Sequence, residues 1–163
     1  MKRILAMILS AALILVLFGC SNSLSDEVSF YYCRNQYLFG EKDGVIAPDK
    51  RDIAGHRDDL NYLISLYFAG PAIDGLKTPF PAYTKLVDTE QIEEEVIITI
   101  SDLNNISDAR FSLCCACLAM TCQEITGCDR ITIVSGQRTI TIRPDSLTLF
   151  DSNQAAITAT EEP

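Results

Sequence analysis

The stretch FSLCCACLAMTCQEITGC, residues 111–128, decides the fold, and it holds five cysteines within eighteen residues. Along an α-helix, which turns by about 100° per residue, one stripe about 100° wide collects most of its apolar and sulfur-bearing side chains. Gly127 is well placed to end the helix. The spacing therefore predicts a helix over residues 108–125 whose inward face is formed by six side chains: Phe111, Cys114, Cys115, Leu118, Cys122 and Ile125.

The spacing of these cysteines argues against a metal site. Cys115 and Cys122 are seven residues apart, about 10.5 Å along a helix, whereas zinc-bound sulfurs lie about 2.3 Å from the metal. Cys114 and Cys117 are the one close pair, and a zinc site normally shows two. Further ligands would have to come from elsewhere in the chain: Cys33, Cys128 or His56. We therefore expect no metal and no cofactor, and we interpret the cysteines first as small buried apolar side chains.

The amino-terminal residues differ from the rest of the chain. Lys2 and Arg3 precede an apolar run from Ile4 to Phe18, which is interrupted by Ser10 alone. The run is fifteen residues long, shorter than the roughly 20 residues that a membrane-spanning helix needs. This pattern is typical of a secretory signal and predicts a signal peptide over residues 1–19.

The run ends in LFGC, Leu17 to Cys20, which resembles the bacterial lipobox, although Phe18 is bulkier than the residue usual at that position. The resemblance implies that a diacylglycerol is joined to the sulfur of Cys20, that the chain is cut before it, and that the new amino terminus receives an acyl chain such as palmitate. Each buried methylene contributes about 0.8 kcal/mol, so two or three acyl chains anchor a domain firmly. We predict a membrane protein anchored by lipid on the extracytoplasmic face, with residues 20–27 as the tether.

Charge narrows the classes of partner and of activity. Cleavage takes Lys2 and Arg3 from 13 basic residues and none of the 22 acidic ones, which leaves a net charge of −11. Such a surface repels nucleic acid and anionic lipid head groups. The chain has one histidine, His56, and no tryptophan, so it offers little material for a histidine-dependent active site. We expect no nucleic-acid partner and no enzymatic activity.

Disulfides are the second interpretation of the cysteines. Lipidation of Cys20 leaves six of the seven cysteines, an even number, in a compartment that permits disulfides. Neighbouring cysteines on one helix seldom meet the geometry of a disulfide. A bridge is therefore expected to involve Cys33 or Cys128, which lie outside the helix.

Alternating apolar and polar residues predict strands on either side of two helices. We expect an α+β domain over residues 28–151, with both helices on one face of a mainly antiparallel sheet, and a disordered tail over residues 152–163. The acidic run Glu93 to Glu95 is interpreted as a solvated hairpin turn. The predicted helices cover residues 58–69 and 108–125, and the predicted strands cover residues 28–33, 45–53, 85–90, 94–102, 131–142 (two strands) and 146–150.

The segment between the first helix and the third strand resembles the GerM domain, a family of sporulation and spore-germination proteins. The matching residues, in order, are Gly70-Pro71, Gly75-Leu76, Thr78-Pro79, Pro81 and Thr84-Lys85-Leu86, and GCDRITIVSGQRTITI at residues 127–142 continues the resemblance. Residues 71–83 hold three of the six prolines, which predicts a rigid irregular loop. Its role is either structural or in protein contacts.

The resemblance implies a domain similar to the ring-building motifs of secretion and sporulation machines. It also implies a non-enzymatic lipoprotein that contacts envelope or sporulation proteins during sporulation or spore germination. Two alternatives stay open: an enzyme of peptidoglycan hydrolysis or its accessory, and a lipoprotein that binds a small ligand. A zinc amidase needs several histidine and carboxylate ligands, which one histidine cannot supply.

Overall fold

A computed structural model describes residues 26–35 and 44–147 of the chain. The strands in these residues form two sheets. Predictions about residues 1–25 and about the tail therefore lie outside the described residues. The described elements, in chain order, are β1 Glu27–Arg34, β2 Ile46–Asp52, α1 Leu60–Phe68, β3 Leu76–Lys77, β4 Leu86–Ile92, β5 Glu95–Ile100, α2 Asp108–Thr126, β6 Arg130–Ser135, β7 Arg138–Ile142 and a 3-10 turn Pro144–Ser146.

The first sheet has the order β2-β1-β3 and the second the order β4-β5-β6-β7. Every strand pair is antiparallel except β5 with β6, which are parallel. Parallel neighbours need a long crossover connection, and helix α2 supplies it. The predicted α+β class, with two helices and mainly antiparallel pairing, is confirmed. The strands divide between two sheets where the sequence predicted one.

The predicted helices begin and end within two residues of the observed ones because each end is capped. The Asp59 carboxylate accepts a hydrogen bond from the Tyr62 N–H at 2.9 Å at the start of α1, and the Ser107 hydroxyl accepts from the Arg110 N–H at 3.4 Å at the start of α2. Gly127 ends α2 with a φ of 71°, the left-handed conformation that glycine adopts without strain.

Helix α2 is buried on two sides, because it packs against β1 of the first sheet and β6 of the second. The stripe predicted from the sequence faces the main core, and its six side chains are buried. A second patch of the helix faces the first sheet, where Cys117 is buried beside Cys33 and Ile46. The partly buried side chains of Leu113, Ala116 and Met120 pack against this cluster. The stripe identified three buried cysteines in residues 111–128, whereas all five are buried.

Two segments differ from the sequence-based expectation. The proline-rich loop contains the two-residue strand β3, whose Leu76 and Lys77 pair with the end of β1. Ser146, predicted to begin a last strand, lies in a 3-10 turn instead. Pro144 opens this turn, because its fixed φ suits a helical start and it has no N–H to donate to a strand.

The aromatic centre of the core yields a matched pair of predictions. Tyr32 donates its hydroxyl hydrogen to the Tyr67 carbonyl at 2.8 Å, and the two rings stack with centroids 4.8 Å apart. The Tyr67 hydroxyl is itself buried and finds no hydrogen-bond partner among the described residues. A buried polar group without a partner destabilises the folded state.

Tyr67→Phe should therefore raise the free energy of unfolding by about 1–2 kcal/mol, since it removes an unpaired hydroxyl and keeps the ring. Tyr32→Phe should lower it by at least about 0.5–1.5 kcal/mol, since it removes the hydrogen bond to the Tyr67 carbonyl and the one that the hydroxyl accepts from Arg51. Urea denaturation followed by circular dichroism measures both values. Destabilisation by Tyr67→Phe as large as that by Tyr32→Phe would contradict this assignment.

Candidate functional site: the buried thiols and the Gly70 loop

The predicted lipidation residue, Cys20, lies outside the described residues, so its modification stays a prediction from the sequence. Over residues 26–35 and 44–147, neither helix has the length and hydrophobicity that crossing a membrane requires.

All six cysteines that the structure describes are buried and carry free thiols. The two that the sequence singled out, Cys33 and Cys128, lie in different places. Cys33 interacts with Cys117, whereas the Cys128 sulfur accepts a hydrogen bond from the Gln91 side-chain amide at 3.4 Å. The structure therefore does not bring Cys33 and Cys128 together, and it gives Cys33 a partner on helix α2.

The main-core thiols are held in the protonated form. Burial raises the pKa of Cys114 to about 11 and that of Cys115 to about 12, and it also raises the pKa of Cys122. The thiolate is the form that attacks electrophiles and binds metals. These three side chains consequently behave as small apolar groups at neutral pH, in agreement with the packing interpretation.

The pKa of Cys33 is shifted in the opposite direction. Hydrogen bonding with the Cys117 thiol lowers the pKa of Cys33, and the charges of Lys77 and Arg110 lower it further against the effect of burial. The same hydrogen bond and burial raise the pKa of Cys117. The two thiols, one near the end of β1 and one on helix α2, therefore shift each other's pKa in opposite directions.

The ligand sets considered from the sequence do not assemble. In the described ranges, no three side chains of histidine, cysteine, aspartate or glutamate are grouped closely enough to hold a metal ion. His56 is exposed and stacks on the Tyr62 ring, with centroids 4.2 Å apart, beside an open cleft that Asn61 and Thr89 help to line.

The acidic turn also has a local structural role. Glu93 adopts a positive φ of 54°, as the tight turn between β4 and β5 requires. Glu95 accepts a hydrogen bond from the Thr132 hydroxyl at 2.7 Å and pairs with Arg130 at 3.6 Å. These contacts link β5 to β6.

The Gly70-Pro71 step that carries the family resemblance is fixed by a buried ion pair on β2. Asp49 is fully buried, and its Oδ2 accepts hydrogen bonds from Arg51 at 2.7 and 2.9 Å and from the Ala72 N–H at 2.7 Å. Arg51 also donates to the Gly70 carbonyl. The ion pair thus binds the backbone on both sides of Pro71, where helix α1 ends.

The far end of the same loop is bound to the core. The Cys114 thiol donates to the Pro79 carbonyl at 3.3 Å, and the buried Phe80 ring packs edge-on against Phe68, with centroids 5.1 Å apart. These contacts favour the structural interpretation of the loop. Ile73 and Tyr83, which are 49% and 53% exposed, remain available at its surface.

Sequence reasoning missed the Asp49–Arg51 pair and the contact between Cys33 and Cys117. On β2, the run PDKRD reads as a polar strand, and nothing in it separates the buried Asp49 from the exposed Lys50 beside it. Burial of Cys33 and Cys117 depends on which strand lies over helix α2. The signal in the sequence was that each of the two cysteines has apolar residues beside it.

Comparisons with known proteins assign no family. No family model matches the chain, and no curated protein matches it. A solved structure from Clostridium perfringens, described as a "Putative Lipoprotein", has 22% sequence identity with this chain. The similarity covers 69% of this chain and 75% of that one, with a TM-score of 0.43.

Proposed function

We propose that this chain is a non-enzymatic lipoprotein, held to the extracytoplasmic face of the cell membrane by lipid on Cys20, that acts through contacts with envelope or sporulation proteins during sporulation or spore germination. The observation that carries the proposal is LFGC, residues 17–20, at the end of a short apolar run that follows Lys2 and Arg3. That order of charge, apolar run and cysteine is typical of a lipoprotein signal and has no role in a folded core.

The described domain begins close to this anchor. Strand β1 starts at Glu27, seven residues after Cys20, and seven residues span at most about 25 Å. The tether therefore keeps the domain near the membrane, while a net charge of −11 after cleavage discourages adhesion to anionic head groups. Such a domain is placed to meet other proteins of the same membrane surface.

The role in sporulation or germination rests on the resemblance of residues 70–86 to the GerM domain. The contacts that bind both ends of this loop, to Asp49 and Arg51 and to Cys114, suit the glycine and proline positions on which the resemblance rests. Contact with envelope proteins is the function that this resemblance suggests, and it requires no reaction from the buried thiols.

The proposal is tested by deleting the coding sequence in its native spore-forming host and counting heat-resistant spores and germinating spores. We expect a loss of one or both, restored by the wild-type chain and by Ser21→Ala, which keeps the lipidated residue. Cys20→Ala should not restore them, because that variant lacks the anchor. Normal spore counts and germination in the deletion strain would contradict the role, and rescue by Cys20→Ala would contradict the need for the lipid.

A further inference from the structure

We propose that Cys33 and Cys117 form a redox-active pair that closes into a disulfide and thereby ties strand β1 to helix α2. The inference goes beyond the proposed function, which uses none of the cysteines after Cys20. Its test uses purified protein, so its outcome is independent of any role in spores.

The two sulfurs are brought together from distant parts of the chain. Cys33 is 3% exposed and Cys117 is fully buried, and both belong to one small apolar cluster with Ile46. Each thiol shifts the pKa of the other, as expected of two side chains packed in one cluster. Because they belong to different elements, 84 residues apart, a bond between them would close a long loop, the arrangement in which a disulfide restricts the unfolded chain most.

The other cysteines are less suited to this reaction. Cys114 and Cys115 are adjacent on one helix, where disulfide geometry is seldom met, and the Cys114 thiol is engaged by the Pro79 carbonyl. Cys122 lies near Cys128, but the Cys128 sulfur accepts a hydrogen bond from Gln91. Cys33 and Cys117, in contrast, come from two different elements and pack in the same small cluster.

The reaction is thiol–disulfide exchange with a low-molecular-weight or protein disulfide as the oxidant. The Cys33 thiolate attacks one sulfur of that disulfide, breaks its S–S bond and releases the first thiol. Cys117 then loses its proton and attacks the Cys33 sulfur of the mixed disulfide, which releases the second thiol. The two cysteines lose two electrons and two protons, and the oxidant gains them.

The positions of the two thiols set the order of these steps. Cys33 lies near the end of a strand and is slightly exposed, so it meets the oxidant first, whereas the fully buried Cys117 is the resolving thiol. Cys33 is the penultimate residue of β1, and one of its neighbours is the two-residue strand β3. Local opening of this end of the sheet would let an oxidant reach Cys33 without global unfolding.

The test uses the full chain purified from membranes in detergent and incubated with either glutathione disulfide or dithiothreitol. After alkylation, trypsin and a glutamate-specific protease separate Cys33 from Cys20, and they separate Cys128 from the cysteines of helix α2. Mass spectrometry should find residues 28–34 joined to residues 111–124 through Cys117, with two thiols lost from the oxidised chain. The midpoint of thermal unfolding should rise by at least about 10 °C on oxidation.

Two variants sharpen the result. Cys33→Ser should lose both the cross-link and the shift in unfolding midpoint, whereas Cys115→Ser, a buried cysteine on the other side of the same helix, should keep both. If Cys33→Ser does not fold, the peptide map of the wild-type chain still decides the question. Absence of a cross-link under glutathione disulfide, or a bond from Cys33 to any other cysteine, would overturn the proposal.

Discussion

Asp49→Ala should lower the free energy of unfolding by about 3–5 kcal/mol, because it leaves Arg51 charged and largely buried without its partner. The Arg51 side chain is 12% exposed and that of Asp49 is fully buried. The change also removes the acceptor of the Ala72 N–H, so the backbone after Pro71 loses its link to β2. We expect a loss of this size in urea denaturation of the full chain, with the loop at Gly70 exchanging amide hydrogens faster.

Lys50→Ala is the matched control, because Lys50 is the residue between the two members of the buried pair. Its ammonium group lies 4.0 Å from the Glu27 carboxylate, and the two side chains are 65% and 49% exposed. Exposed ion pairs contribute about 0–1 kcal/mol. Equal losses in Asp49→Ala and Lys50→Ala would show that the buried pair does not hold the loop.

Leu118→Ala should lower the free energy of unfolding by about 2–5 kcal/mol. Leu118 is fully buried in the main core, on the inward stripe of helix α2 that the sequence predicted. Truncation there removes transfer free energy and leaves a cavity that the strands on both sides prevent from closing. The measurement is again urea denaturation, with the slope against urea concentration used to check that unfolding stays two-state.

Leu113→Ala makes the same chemical change one and a half turns earlier on the helix. Leu113 is half-buried, at the margin of the Cys33–Cys117 cluster, so the variant should lose clearly less stability than Leu118→Ala. A larger loss at Leu113 than at Leu118 would contradict the placement of Leu118 in the main core and of Leu113 at its margin.

Local structure could be predicted from this sequence because apolar residues recur at helical spacing in the helices and alternate with polar residues in the strands. The stripe at residues 111–125 indicated helix α2, and the alternation in ITIVSGQRTITI indicated β6 and β7. The caps at Asp59, Ser107 and Gly127 explain why the helix bounds agree so closely.

The pairing of strands that are distant in the chain could not be predicted. Alternation of apolar and polar residues identifies a strand but does not show which strands lie beside it. The division into two sheets follows from hydrogen bonding of β1 to β2 and to the two-residue β3. The second buried side of α2 follows from that division, so Cys117 was left outside the predicted inward face. The buried Asp49 was missed for the same reason, since its burial depends on the Gly70 loop that covers it.

The candidate site shows the same limit. The helical spacing indicated that Cys114, Cys115 and Cys122 lie on the inward face of helix α2, and these three side chains are buried in the main core. It selected Cys33 and Cys128 as the thiols outside the helix, but their partners depend on tertiary contacts. The residue expected to carry the function, Cys20, precedes the described domain and is identified by its signal alone.

The most direct measurement of the central claim is the mass of the amino-terminal peptide of the protein isolated from the membrane fraction. We predict a chain that begins at Cys20, with a diacylglycerol joined to its sulfur through a thioether. We predict that a Cys20→Ala variant carries no lipid and keeps residues 1–19. A chain that begins elsewhere, or that begins at an unmodified Cys20, would contradict the account.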